Sequence, residues 1–441
     1  MSTIGQVSAQ QPNADGNGPP GMLTKLFQLA TSRYAVSLAA QIMMSGFHTI
    51  LSFLLIRMVA PYDFGVYAFA FVLAMFASAT NNALISTPLT VYTPVVKDER
   101  ERAQQEDMFS TLNLLLFVVL ILAGVAYSQW SNMGMSTTLA VTLFVAFYSA
   151  RQFSRSFGYA RFKPLVTASG DIVYVTAGVL FIAISVFAST DGLDIRWVLC
   201  SLAAANLTAM LVERWRIHGA SRKGLLLAKI QNYGQVWLQS RWALVGALTT
   251  LFMSQAHSLV ITSLNGPEAF APLAAGMVMF GPVRVALLTW QNMVKPELAL
   301  ALSNNEGEAV KKQIRTTTFL MGAAVLAMGA VIWLLWPYIF NLLYAEKYGN
   351  QPMGYIVLLW SLITLFAAIY NAPSAALQAM KDFHVLAMAS VYGAIISGVL
   401  VMLILYFVNA ESTLLGILAA ECFMAVYLIR VMLNHLKKDW Q

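Results

Sequence analysis

Long apolar runs constrain this chain more than any other feature. Twelve runs of about 20 residues or more follow one another between Tyr34 and Leu433, and about 20 apolar residues suffice for a helix to cross the hydrocarbon core of a bilayer. Only 11% of the residues are charged, whereas a soluble domain carries about 25%. The sequence therefore predicts an all-α integral membrane protein with twelve transmembrane helices, at about 34–57, 66–93, 110–130, 136–157, 166–188, 194–214, 242–264, 270–294, 316–336, 355–380, 384–408 and 413–433.

The runs fall into two related halves. The turn between the first two runs contains Pro61 and Phe64, and the same arrangement returns 206 positions later with Pro267 and Phe270. Repeats of six spans in the same sense are typical of transporters. We therefore predict two pseudo-symmetric six-helix lobes.

The predicted boundaries follow from composition. The N-lobe is expected at 25–214 and the C-lobe at 242–435, joined by residues 215–241, in which Lys and Arg alternate with apolar residues. That linker is either an amphipathic helix on the cytoplasmic leaflet or an ordinary basic connector. Residues 1–24 are polar and rich in Gly, Pro, Gln and Asn, which indicates a disordered cytoplasmic tail.

The placement of positive charge predicts the orientation. If the N-terminus is cytoplasmic, 23 of the 27 Lys and Arg residues fall on the inside. Three lie on outside loops (Arg57, Arg196 and Lys347), and Arg284 lies within a span. Lys and Arg favour the cytoplasmic side of a membrane, so we expect both termini to be cytoplasmic. The net charge of +7 then reflects topology and not a nucleic-acid partner.

Motifs for enzymatic chemistry are missing from the sequence. There is no Gly-x-x-x-x-Gly-Lys-Ser/Thr and no His-Glu-x-x-His, and the loops between runs are too short for a catalytic domain. Cys200 and Cys422 both fall within predicted spans, which disfavours a disulfide framework or a Cys-ligated metal site. We expect no enzyme activity, no metal and no cofactor.

Two local patterns carry a family resemblance. Arg57-x-x-x-Pro61-x-x-Phe64-Gly65-x-Tyr67 follows the first run, and Ala160-Arg161-Phe162-Lys163 precedes the run that carries Asp171. With the twelve-span pattern, these residues resemble Wzx-type polysaccharide flippases of the MOP superfamily over roughly residues 25–435. The resemblance implies a MOP-like fold in a bacterial inner membrane. It also implies movement of a polyprenyl-diphosphate-linked oligosaccharide to the outer leaflet, with membrane lipids and other polysaccharide-assembly proteins as partners.

Arg284 is the sharpest single signal for such a cargo. It follows Gly281-Pro282, which should interrupt the helix. A mid-membrane Arg costs about 2.5–3.5 kcal/mol on insertion scales, so it should face water, a ligand or an acid. Its guanidinium group could bind phosphate oxygens, or it could pair with Glu421.

Three further arginines are candidate diphosphate ligands. Arg151 and Arg155 are four residues apart, hence on one face of the fourth span, and could recruit the headgroup from the inner leaflet or instead snorkel to the interface. Arg57 ends the first span outside, where it could meet the departing diphosphate or pair with Asp63.

The first span carries a polar stripe on one helix face, formed by Ser37, Gln41, Ser45, His48 and Ser52. We predict a wet interior face with Gln41 and His48 as substrate contacts; the alternative is hydrogen bonding between helices. Two acids are embedded in spans. Glu421 and Asp171 could couple transport to H⁺ or Na⁺, although Asp171 could instead pair with Arg161 or Lys163.

The resulting hypothesis is a bilobed flippase that works by alternating access. A MATE-type multidrug or ion antiporter is the alternative within the superfamily, favoured by acidic cavity residues. A membrane enzyme of glycan assembly, such as a polymerase or ligase, is the alternative of another class, and it would need a large outside loop.

Overall fold

The computed structural model describes residues 33–129, 133–188, 193–218, 233–303, 307–380 and 382–438, which form helices and no strand. The main helices are α1 (Arg33–Met58), α2 (Pro61–Asn81), α3 (Glu99–Tyr127), α4 (Met135–Ala160), α5 (Pro164–Ala188), α6 (Ile195–His218), α7 (Tyr233–Asn265), α8 (Pro267–Val278), α9 (Gly281–Ser303), α10 (Gly307–Leu334), α11 (Met353–Ala379), α12 (Phe383–Phe407) and α13 (Leu414–Lys438). A π-helical turn at Asn82–Ser86 continues α2, and short helical turns from Trp336 to Tyr348 connect α10 to α11. The predicted tail 1–24 and residues 219–232 of the predicted linker lie outside the described residues.

The predicted count of twelve spans agrees closely with these helices. Among the described residues, ten helices are long and apolar enough to cross a membrane, and α8 with α9 forms an eleventh span that is bent by 60°. The bend confirms the expected interruption at Gly281-Pro282, because Pro282 has no N–H to donate to the carbonyl of Val278. The remaining predicted span, the fourth at 136–157, is α4, which is 26 residues long but too rich in Ser, Thr and Arg to pass the same hydropathy test.

The helices pack as two lobes. In the N-lobe (α1–α6), α6 packs against α4 and α5; in the C-lobe (α7–α13), α12 packs against α7 and α13. The two repeated turns meet where α2 and α8 begin. Pro61 and Pro267 each open a helix, as Pro at a first helical position favours. Phe64 and Phe270 are buried in one core that joins the lobes. A Cβ atom at Gly65 would clash with the Pro267 carbonyl, so only glycine permits this approach.

At the opposite end of the boundary between the lobes, the first turn of α7 contacts the N-lobe. Pro88 cannot donate a helical hydrogen bond to the carbonyl of Leu84, and the hydroxyl of Tyr233 donates to that oxygen at 2.6 Å. Tyr233 and Val236 also pack against an apolar cluster formed by residues of α3 and α4, by Ile217 of α6, and by Ile85 and Leu89 after α2. The C-lobe therefore contacts the N-lobe at both ends of α2, near Gly65 and near Leu84.

We expect Tyr233→Phe to destabilise the protein by about 0.5–1.5 kcal/mol, the usual net value of one intramolecular hydrogen bond. The midpoint of thermal unfolding in detergent measures this loss. Tyr406→Phe is the matched control, because Tyr406 is 82% exposed on the bundle surface. An equal effect of both substitutions would contradict the assignment.

Candidate functional site

Four charged residues meet inside the N-lobe and form what we call the N-lobe charge cluster. Arg151 and Arg155 lie one turn apart on α4, Asp171 lies on α5 and Glu213 on α6. Arg151, Asp171 and Glu213 are at most 1% exposed, and the side chain of Arg155 is 12% exposed. Two positive and two negative charges thus share a space from which water is nearly excluded.

Arg151 is enclosed on all sides. Its Nη2 donates to Oδ1 of Asp171, and its guanidinium carbon lies 4.3 Å from the centre of the Tyr174 ring, a cation–π geometry. Its Nη1 approaches Sδ of Met44 at 3.6 Å. The interpretation that Arg151 snorkels to the interface is therefore wrong. The reason is that α4 lies in the interior of the lobe, so its polar face meets other helices and not lipid.

Arg155 connects the cluster to α1. Its Nη2 donates to Oε1 of Gln41 at 2.8 Å and to Oδ2 of Asp171 at 3.2 Å, and its Nη1 donates to Oε1 of Gln152 at 3.0 Å. The predicted pairing of Asp171 with residues after α4 is therefore wrong. Arg161 follows the end of α4 and pairs with Glu106 of α3 instead. Asp171 contacts Arg151 and Arg155, which lie earlier in α4.

Glu213 is a member of the cluster that sequence reasoning missed. Neither carboxyl oxygen makes a hydrogen bond of ordinary geometry within the described residues, although the Ser154 hydroxyl lies beside it. The side chain lies directly over Gly170, where a Cβ atom would clash with Oε1. The predicted sixth span ended at residue 214, which placed Glu213 at the membrane boundary. In the structure α6 continues to His218, so Glu213 lies more than one turn inside the helix.

The polar stripe of α1 serves two different surfaces. Gln41 and His48 face the N-lobe, where His48 Nε2 and the Tyr174 hydroxyl lie 3.2 Å apart. Ser45 lines a cavity on the other side of α1, and Ser52 donates to the carbonyl of His48 at 2.8 Å. The side chain of Ser37 lies outside the described residues. The expectation of a single wet face is wrong. Helix α1 lies between the rest of the N-lobe and the cavity, and residues of the stripe contact both.

A cavity of about 640 Å³ lies between the lobes, bounded by α1 and α9. It is mainly apolar, with Ser45 and Thr49 as its polar members; the lining is Ile42, Ser45, Gly46, Thr49, Ile50, Pro282, Val285, Ala286, Trp290 and Met321. The expectation of one cationic chamber between the lobes is therefore not met in this conformation by the described residues. The arginines lie behind the cavity walls, within each lobe.

Arg284 and Glu421 line a separate C-lobe cavity of about 60 Å³. The hydroxyl of Tyr370 donates to the Glu421 carboxyl group, while Glu421 Oε2 has no hydrogen-bond partner among the residues that the structure describes. Arg284 and Glu421 interact electrostatically without a direct ion pair. A cavity of this size is large enough for a water molecule, and both charged residues line it.

Arg57 lies apart from both clusters. It is exposed at the end of α1 and makes no ion pair with Asp63 in the described part of the chain, so that predicted pair is wrong. The charged neighbours of Asp63 are Asp194 and Arg196, across the start of α6. A hydrogen bond from Arg196 lowers the pKa of Asp194 below its usual value. Arg57 is therefore free of the turn that it was expected to fix.

Comparison with known proteins identifies the architecture. An inward-facing multidrug resistance MATE family transporter of the MOP superfamily matches at a TM-score of 0.72 and 12% identity, over 92% of this chain and 99% of that chain. The lipid II flippase MurJ, in an inward closed conformation, matches at a TM-score of 0.69 and 14% identity, over 89% of this chain and 86% of that chain. The fold is that of MOP-superfamily transporters. No protein-family model and no curated relative matches the sequence.

An outward-facing MATE transporter of the same superfamily also has this fold. It matches at a TM-score of 0.58 and 12% identity, over 93% of this chain and 98% of that chain.

Proposed function

We propose that the protein is a flippase that moves a polyprenyl-diphosphate-linked oligosaccharide from the cytoplasmic to the outer leaflet by alternating access, for exopolysaccharide or O-antigen synthesis. The MOP fold supports membrane transport. The positive-inside distribution supports cytoplasmic termini in a bacterial inner membrane. Other polysaccharide-assembly proteins are proposed as partners of the flippase.

One observation carries the choice of cargo. Helix α1 separates an apolar cavity of about 640 Å³ from the arginines of the N-lobe charge cluster, and its Gln41 is hydrogen-bonded to Arg155. A polyprenyl diphosphate also combines an apolar part and a charged part, because its apolar tail is joined to an anionic headgroup. A small movement of α1 would bring both surfaces to one ligand.

The proposed substrate contacts follow from this arrangement. Arg155 is the least buried arginine of the N-lobe charge cluster and the first to meet a phosphate, with Gln41 beside it and Arg151 and His48 behind it. Arg284 receives the headgroup at mid-membrane depth from the C-lobe, and Arg57 meets it on the outer side. Guanidinium groups suit this role because they bind phosphate oxygens bidentately.

Glu421 is a proposed site for coupling to H⁺ or Na⁺. It is buried in the C-lobe, and one carboxyl oxygen has no hydrogen-bond partner in the described part of the chain. Asp171 is a weaker candidate, because two arginines already hold its carboxylate. Intramembrane acids in transporters commonly mark ion pathways.

A MATE-type antiporter is the second candidate function. The apolar lining of the cavity between the lobes favours it, since an apolar drug could occupy the same volume. The buried arginines favour the anionic cargo. A membrane enzyme of glycan assembly has less support, because the longest connection on the predicted outer side, Trp336 to Tyr348, folds as short helical turns against the bundle.

Deletion of the gene followed by lipid analysis tests the proposed function. We expect the complete lipid-linked repeat to accumulate on the cytoplasmic face, because its synthesis continues after its export stops. Display of single unpolymerised repeats outside would indicate a polymerase. Unchanged lipid-linked glycan with increased drug sensitivity would indicate a multidrug antiporter.

A further inference from the structure

Glu213 differs from the other acid of the N-lobe charge cluster in having no ion pair within the described residues. Asp171 accepts hydrogen bonds from both arginines. Glu213 is 0% exposed, and the Ser154 hydroxyl lies beside it, but neither oxygen makes a hydrogen bond of ordinary geometry within the described residues. Burying an ionised carboxylate without hydrogen bonds is costly, and such a group tends to take up a proton.

The surroundings of Glu213 define which charges act on it. From α4 it faces Arg151, Ser154 and Arg155, and from α5 it faces Asp171. Helix α2 also contacts α6, but its one charged residue is Asp63 in its first turn, at the far end from Glu213. Arg214, the neighbour on α6 itself, points away and contacts Ser110 of α3.

The charge count of the cluster depends on this one carboxyl group. With Asp171 ionised and Glu213 ionised, the two arginines are balanced and the site has no net charge. With Glu213 protonated, the site carries one positive charge that no acid balances. An anion that reaches Arg155 is attracted in the second state and not in the first.

We propose that Glu213 is a proton-binding site whose protonation leaves the positive charge of Arg151 and Arg155 available to the anionic headgroup of the cargo. Binding of the proton and of the anion is then cooperative, and by linkage each strengthens the other by the same factor. The inference rests on the proposed function for the identity of the anion. Protonation of Glu213 itself does not depend on it.

Infrared difference spectroscopy of the purified protein, titrated with pH, tests the proton site directly. All variants are made in a Glu421→Gln background, because Glu421 is the other proposed proton site. We expect a band of a protonated carboxyl group in that background that disappears when Glu213→Gln is added. Glu106→Gln is the matched control, because Glu106 is another buried carboxylate of the N-lobe but is paired with Arg161, and it should leave the band in place. Absence of the band from the Glu421→Gln background, or its survival after Glu213→Gln is added, would overturn the proposal.

The coupling is tested with farnesyl diphosphate, an isoprenoid diphosphate that carries no sugar. We expect the ratio of the affinity of Glu213→Gln to that of the wild type to rise as the pH is raised and to reach at least about fivefold, the lower end of typical coupling. The ionisation of the probe cancels in that ratio. A ratio that does not change with pH overturns the coupling. If the wild type binds no farnesyl diphosphate at any pH, the proposed function is contradicted, while the infrared result still decides the proton site.

Discussion

Asp171→Ala is expected to destabilise the protein by about 3–5 kcal/mol, because breaking a buried ion pair leaves an uncompensated charge in a region without water. Both arginines lose their bonded carboxylate at once, since Asp171 lies next to Arg151 and Arg155. Glu213 would remain as the one acid near them. Chemical unfolding of the purified protein measures the change.

The matched control is Glu308→Ala. Glu308 also belongs to an ion pair, with Lys311 at 3.7 Å, but its side chain is 92% exposed. Exposed pairs contribute little to stability, so this substitution should leave the unfolding midpoint unchanged. If Asp171→Ala had as little effect, the N-lobe charge cluster would not be the electrostatic centre that we describe.

Arg284→Met is expected to lower the affinity for a lipid diphosphate roughly ten- to hundredfold and to reduce export to that of a deletion strain. A hydrogen bond to a charged group contributes about 1.5–3 kcal/mol, and about 1.4 kcal/mol corresponds to a factor of ten. Binding of farnesyl diphosphate and export in cells are the two measurements.

A second substitution separates this loss of function from a loss of stability. Arg284→Met alone leaves Glu421 buried without its electrostatic partner, which should reduce stability. The double variant with Glu421→Gln removes both charges and should regain the unfolding midpoint while export stays absent. Recovery of export in the double variant would assign Arg284 a structural role in place of the headgroup contact.

The sequence predicts the positions of the helices well and the contacts between helices less well. The run lengths predict nearly every helix, and Pro282 predicts the bend between α8 and α9, because these features depend on local hydropathy and on a missing N–H. The same reasoning predicts that mid-membrane Arg284 needs an acid or a ligand. Each of these predictions concerns one helix considered alone.

The contacts between helices could not be predicted in this way. Helical periodicity places Arg151 and Arg155 on one face, but it does not say that this face meets α5. The sequence therefore suggests Arg161 or Lys163 as the partner of Asp171. Glu213 was missed because a boundary error of four residues changes a buried acid into an interfacial one. Rotation of each helix about its axis is set by packing, which a hydropathy pattern does not contain.

Reconstitution gives the most direct test of the central claim. Proteoliposomes would contain a fluorescent polyprenyl-diphosphate-linked oligosaccharide, and a glycan-cleaving enzyme added outside would measure the fraction of labelled glycan that becomes accessible. We predict that the wild-type protein makes the protected half accessible and that Arg284→Met does not. Protection that persists in the presence of the wild-type protein, together with uptake or release of a cationic drug by the same vesicles, would contradict a flippase and favour an antiporter.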